Sequence, residues 1–394
     1  MKYAKRLERL GTETAFDVLA KVIAKRERGE KVINFSIGEP DFNTPKPVKE
    51  AGMQAIYENY THYTPAEGVL PLRKAVTQYI ERTRNVSVDP SEVVVTPGGK
   101  PILFHTILAC VEEGAEVLYP SPGFPIYESM IRFVGANPVP IAIREKNNFT
   151  LDPREVEKKI TKNTQMLILN TPHNPTGGLL TYDQMREMAQ IAKEHHLWIL
   201  SDEIYSQLVY EDPFTSMLSF PEVRDQLILL DGFSKTYAMT GWRLGFGIFP
   251  KPLTVHIKRL IINAESCTAS FIQQAGITAL LGPQDEAEEM RATFHKRRDR
   301  MVEGLNQIDG FSCLTPKGAF YLFPNVTGAC QKKGFPSAKA LADALLEEAN
   351  VAVLSASAFG CRDPEETQEY LRFSYAASWE DMAEGLGRLK TFMG

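Results

Sequence analysis

Residues 226–247, "QLILLDGFSKTYAMTGWRLGFG", run from an unbroken apolar stretch into a polar tail carrying a lysine, Lys235, and then an arginine, Arg243. Apolar runs of this length, ending abruptly in polar residues, suit strands buried on both faces. Ser234, Lys235 and Thr236 bring a nucleotide-binding loop to mind. That loop requires G-x-x-x-x-G-K-[ST], so that several backbone N–H groups curl around phosphate. Here no glycine directly precedes Lys235, and Gly232 lies too close. The tail needs another explanation.

Working outward, the same pattern recurs from about residue 90. "EVVVT" passes through "PGGK" into the amphipathic run "PILFHTILACVEEG", and "AEVLYP" through "SPGFP" into "IYESMIRFVG". "QMLILN" leads through "TPHNPTGG" to "TYDQMREMAQIAKEHH", which has helical spacing, and "LWILSDEIY" is a further apolar run with a polar end. Strands alternating with helices predict an α/β fold whose parallel sheet is covered on both faces. The C-terminal part changes character. "EAEEMRATFHKRRDRMVEGLNQI" is a charged amphipathic helix, and the strands "GAFYLFPNV" and "YLRFSYA" accompany further helices. A smaller α+β domain is expected there. The division is a large domain over 46–285 and a small one from 1–45 with 286–394.

The 394 residues are 43% hydrophobic and 24% charged, an ordinary globular composition. A net charge of -5 without a polybasic run gives no footprint for nucleic acid. No stretch of about 20 apolar residues would span a membrane, and the N-terminus lacks the apolar core of a signal peptide. Five scattered cysteines, with no metal-ligand spacing, suit reduced thiols in a cytoplasmic protein.

In open parallel sheets, ligands bind beyond the carboxyl ends of the strands. The tails "TPGGK", "NTPHNPTGG", "SDEIY" and "DGFSK" should therefore converge. They bring together Lys235, Asp202, Glu203, Tyr205, Asn174, Gly98 and Gly99, with Phe124 from "SPGF" and Arg243 nearby. A free lysine, with a pKa of about 10.4, is a poor nucleophile or base at neutral pH. A Schiff base with a carbonyl, above all with pyridoxal phosphate, is the usual way to use one. That cofactor needs a carboxylate on its ring nitrogen, a phosphate cradle and something flat against its ring. Each has a candidate here.

At this point the chain resembles the pyridoxal-phosphate aminotransferases of fold type I, the class I group around aspartate aminotransferase. The stretches carrying the likeness are "SIGEPDF" (36–42), "HYTPAEGVLPLR" (62–73), "TPGGKP" (96–101), "NTPHNPTGG" (170–178), "SDEIY" (201–205), "FSKTYAMTGWRLG" (233–245) and "YLRFSYA" (370–376). The resemblance implies a large domain with a mostly parallel seven-stranded sheet and a smaller α+β domain. It implies that Lys235 holds pyridoxal 5'-phosphate and that Asp202 pairs with its ring nitrogen. Tyr205 and Asn174 would hydrogen-bond its phenolate oxygen, and Phe124 would stack on the ring. The backbone at Gly99 and Lys100, with Arg243 and Ser234, would receive the phosphate. Tyr63 would reach the phosphate from a neighbouring subunit, implying a homodimer with shared active sites. Arg372 would clamp the substrate α-carboxylate, with Gly38 closing over it and Asn174 beside it. Lys100 matches a lysine that in one bacterial branch holds a distal carboxylate, with Thr14 assisting. Relatives specific for aspartate commonly have a tryptophan at the place of Phe124 and a serine at that of Gly232.

Other positions read as structural. Glu203, adjacent to Asp202, faces the opposite way if the strand continues. His173 suits loop packing, and His195 and His196 suit the end of a helix. The expected activity is ping-pong amino-group transfer from an L-amino acid to a 2-oxo acid. Glutamate with 2-oxoglutarate is the common pair, and aspartate the other amino acid. The alternatives are an alanine or aromatic aminotransferase, a β-lyase using the same cofactor, and a non-enzymatic effector-sensing domain.

Overall fold

The computed structural model describes residues 2–11 and 13–394. Its strands, in chain order, begin with β1 (Ile33–Asn34), β2 (Val93–Thr96), β3 (Glu116–Ser121) and β4 (Asn137–Ala142). They continue with β5 (Thr164–Asn170), β6 (Trp198–Asp202), β7 (Leu227–Gly232) and β8 (Gly245–Ile248). The short strands β9 (Tyr321–Leu322), β10 (Val351–Ala352), β11 (Leu354–Ser355) and β12 (Leu371–Ser374) complete the set.

Seven of these form one sheet in the order β2-β8-β7-β6-β5-β3-β4. All pairings are parallel except those of β8, which runs against both of its neighbours. The other six strands therefore point the same way and deliver their carboxyl ends to one edge, as the sequence predicts. Alternate residues separate onto two cores. Val93, Val95, Leu167, Leu169 and Leu229 pack on one face. Val94, Met166, Ile168, Ile228 and Leu230 pack on the other. This is the period of two expected of a strand covered on both sides. Every residue of β7 is buried, and each apolar one contributes ~1.5–3 kcal/mol, so a register slip is strongly disfavoured.

Two members of the sheet are absent from the sequence reading. β4 ("NPVPIA") carries two prolines and is tolerated because it lies on an edge and pairs only with β3. β8 ("GFGI") has no apolar run to advertise it. A Cβ on its Gly245 would lie 2.6 Å from the backbone carbon of Gly98, so the strand must be bare where it passes the β2 tail. The run "LWILSDEIY" also stops being strand at Asp202, leaving Ile204 and Tyr205 in a turn.

Helix starts follow local chemistry. Thr181 and Gln184 form a reciprocal capping box, with Gln184 N–H donating to Thr181 Oγ1 at 3.2 Å and Thr181 N–H to Gln184 Oε1 at 3.0 Å. That box starts the helix Tyr182–Glu194 directly after the β5 tail. Elsewhere β1 pairs in parallel with β10, and β11, β12 and β9 form a small antiparallel sheet. A third core, including Phe35, Phe294, Phe320 and Phe373, lies against these short strands. The 22-residue helix Asp285–Asn306 and the helix Trp379–Met393 contribute to it.

Candidate active site

A cavity of about 500 Å³ opens at the carboxyl edge of the large sheet. Lys235, Asp202, Tyr205, Asn174, Arg243 and Arg372 line it, whereas Gly98 and Glu203, expected to converge with them, do not. Gly38, Gly99, Lys100, Phe124, Ser234 and Thr14 line it too. Tyr63 lies outside and is 90% exposed. A larger cleft of about 960 Å³, between Asn147–Arg154 and Leu314–Lys317, contains none of them.

Lys235 follows β7 by three residues, and its Nζ donates to the Gly38 carbonyl at 2.6 Å. Burial lowers its pKa to about 8, an effect that nearby Glu39 partly opposes. The amine is thus neutral far more often than an exposed lysine at the same pH. Asp202 ends β6. Its carboxylate accepts from Tyr127 Oη at 2.5 Å and from the Ile204 N–H at 3.2 Å, with no basic side chain among its partners. Desolvation raises its pKa to about 6 against the pull of the Tyr127 hydrogen bond. A cation beside it would restore the charged form.

The tail of β5 is held to that of β6. Asn170 Nδ2 donates to the Asp202 carbonyl at 3.1 Å and its Oδ1 accepts from the Asn174 N–H at 2.9 Å. Asn174 Oδ1 in turn accepts from Arg372 Nη1 at 3.2 Å. Arg372 Nη2 also donates to the Ser36 carbonyl, while its buried Nε has no partner among the described residues. Its guanidinium carbon sits 4.6 Å from the Tyr321 ring centroid and 4.7 Å from that of Phe359. Tyr205 and Tyr321 share a hydroxyl–hydroxyl hydrogen bond of 2.7 Å. A Cβ on Gly38 would lie 2.0 Å from Tyr321 Oη, so only glycine leaves room for that pair.

At the β2 end, Gly98 has φ +92 and Gly99 caps the helix Lys100–Cys110 without any side-chain hydrogen bond. A Cβ on Gly98 would lie 2.3 Å from Arg243 Nη2. A bare glycine turn, a helix N-terminus and an arginine therefore meet at one point, which is the chemistry of a phosphate cradle. Phe124 stands at the start of the helix Pro125–Phe133, with its ring edge-on to Tyr127 at 5.6 Å.

Beneath the cavity, Glu203 is fully buried and bound by Arg84 Nε at 2.9 Å and by Ser216 Oγ at 2.8 Å. Arg84 Nη2 reaches Asp231 at 2.6 Å. Glu203 is structural, as the sequence suggests. His173 Nδ1 lies 2.8 Å from Thr176 Oγ1, and burial holds its pKa down at about 3, so it packs as a neutral ring. His195 and His196 are exposed at a helix end. Tyr127, Tyr321 and Asn170 were missed from the sequence. Two look like core aromatics in apolar runs, and the third like the last residue of a strand.

Residues 30–389 match the family model "Aminotransferase class I and II". An aspartate aminotransferase of Pyrococcus horikoshii is 38% identical over 375 residues, covering 94% of this chain and 93% of the relative. The crystal structure of the aspartate aminotransferase from Rhizobium meliloti superposes with a TM-score of 0.94 at 33% identity, covering 100% and 99% of the two chains. An alanine aminotransferase from Pyrococcus furiosus superposes with a TM-score of 0.92 at 32% identity, covering 100% and 99%. The chain belongs to the class I and II aminotransferases, and it is an enzyme of that type.

Proposed function

We propose that the cavity holds pyridoxal 5'-phosphate and moves the amino group of glutamate to a 2-oxo acid, with aspartate and its oxo acid as the other pair. The observation that carries this reading is the pairing, in one cavity, of a half-buried lysine of lowered pKa with a buried carboxylate that has no cationic partner among the described residues. The donor set fits the cofactor at both ends. Asp202 suits a protonated ring nitrogen, and the Gly98–Gly99 turn with Arg243 and Ser234 suits the phosphate. Phe124 offers a flat face, and Tyr205 and Asn174 offer hydrogen bonds to the phenolate oxygen.

When bound, pyridoxal phosphate supplies a carbonyl that captures the amino group and a conjugated ring that delocalises the electron pair left on Cα. Lys235 is its attachment point, and its Nζ then carries the substrate's Cα proton. Burial brings the pKa of that amine down to about 8, so its neutral form is far more accessible near neutral pH than that of an exposed lysine. Asp202 stays ionised against a cationic ring, which preserves the ring's charge. Arg372 has an Nε unpartnered among the described residues and is held by Asn174 and the Ser36 carbonyl, so it is oriented to clamp an α-carboxylate. Gly38 would close over it, and Lys100 with Thr14, which also line the cavity, would hold a distal carboxylate.

Tyr63 serves a partner's phosphate in a homodimer with shared sites. Its 90% exposure supports this, as do the exposed Met53, Ile56 and Tyr57 on and near the helix Lys46–Tyr57. The division at 46–285 is supported by the pairing of β1 with β10, which ties the N-terminal segment to the C-terminal one. No helix among the described residues is long and apolar enough to cross a membrane, and five free cysteines support a cytoplasmic setting. Incubation with [15N]glutamate, oxaloacetate and pyridoxal phosphate should yield [15N]aspartate. No [15N]aspartate from this mixture, together with release of ammonia, pyruvate and sulfide from cysteine supplied without an amino acceptor, would replace transfer by elimination.

A further inference from the structure

Two cations of the cavity are treated differently. Arg372 keeps an N–H that is unpartnered among the described residues. Lys100 is ion-paired with Glu13. Its Nζ also stands 5.7 Å from the Phe124 ring centroid and 5.9 Å from that of Phe16.

Glu13 occupies an awkward place. It immediately precedes the helix Thr14–Glu27 with extended backbone, φ -92 and ψ 110, where a short Ser, Thr, Asp or Asn would cap the free N–H groups. Its side chain makes no capping hydrogen bond. The carboxylate turns instead into the cavity, where its side chain is 16% exposed against 49% for Lys100. The chain leading to it is anchored by the Gly11 N–H on Ser129 Oγ at 2.9 Å. A residue that breaks a local rule while its side chain faces the site marks a functional position.

We propose that the Glu13 carboxylate is an intramolecular competitor for Lys100, covering the lysine when the substrate side chain is neutral and yielding it to the distal carboxylate of a dicarboxylic substrate. This rests on the aminotransferase reading of the cavity. With Glu13 in place the charge of Lys100 is balanced and the pair stands beside Phe16 and Phe124, which suits a small or apolar side chain. A dicarboxylate brings its own anion, and a half-exposed ion pair is weak enough for the exchange. One site thereby accepts both classes, and Glu13 sets the ratio between them.

The test is calorimetric titration of succinate and of propionate into the wild-type protein and Glu13→Gln, with pyridoxal phosphate bound. Succinate affinity should rise roughly three- to tenfold in Glu13→Gln while propionate stays within about twofold. The gain should vanish in the double variant Glu13→Gln with Lys100→Met. The ratio of kcat/KM for aspartate over alanine should rise by the same factor. Unchanged succinate affinity overturns the proposal. So does an equal rise for both acids, which would place the action of Glu13 at Arg372. A wild-type protein that moves no amino group, yet shows the succinate effect, would overturn the functional reading instead.

Discussion

The cavity above the end of β6 and the ionic nest beneath it are built from consecutive residues, and they handle buried charge in opposite ways. Glu203 looks down onto Arg84, which also binds Asp231, and the serines and amides around them complete the set. Desolvation works against the Arg84 charge, but the two carboxylates raise its pKa further above the ordinary arginine range. Asp202 looks up into the cavity, with a phenol and one amide as its partners. Burial penalises both carboxylates, and only one is given a protein cation. The self-sufficient group holds the sheet edge together. The other is built to meet a cation from outside.

Variants of the two regions should therefore fail in different ways. Arg84→Leu removes the cation of the nest and leaves two buried carboxylates, and should cost about 3–5 kcal/mol of stability by urea denaturation. A loss below about 1 kcal/mol would erase the distinction between nest and cavity.

The cavity side gives a smaller effect with a definite sign. The Asp202 pKa rises from 3.8 to about 6 on folding, so the folded protein holds that proton more tightly than the unfolded chain. Stability of the cofactor-free protein should then increase as pH falls from above 6 towards 4, and the penalty should return as pH rises through 6. Asp202→Asn has nothing to protonate. Its stability relative to wild type should improve by about 2–3 kcal/mol between pH 4 and pH 7. Asp231 also rises to about 6, through burial that Arg84 only partly offsets; it is common to both proteins, so only its coupling to Asp202 enters the difference. A flat difference across that window would mean that Asp202 is not buried as an unpaired charge.

The same contrast explains what the sequence discloses. β5, β6 and β7 are unbroken apolar runs, and a parallel sheet forces their polar tails together, so the meeting of Lys235, Asp202 and Asn174 at one edge is legible in the sequence. β4 and β8 were not, because prolines on an edge and glycines beside the β2 turn serve tertiary neighbours and carry no periodic signal. Tyr127 and Tyr321 hide for a related reason. An aromatic in an apolar run looks like core until the partner of its hydroxyl is known, and those partners, Asp202 and Tyr205, are 75 and 116 residues away. Lys100 was legible as a cation at the site. Its engagement by Glu13 was not, since 87 residues separate them and helix-start chemistry gives no hint of the pair.

The most direct test of Lys235 is exchange of the glutamate Cα proton for deuterium, followed by proton NMR in D2O with pyridoxal phosphate present. The wild-type protein should exchange it, and Lys235→Ala should be slower by ~10³-fold or more while retaining its fold. Exchange at the wild-type rate in Lys235→Ala would contradict the assignment of the proton to Lys235 Nζ, and with it the reading of the cavity.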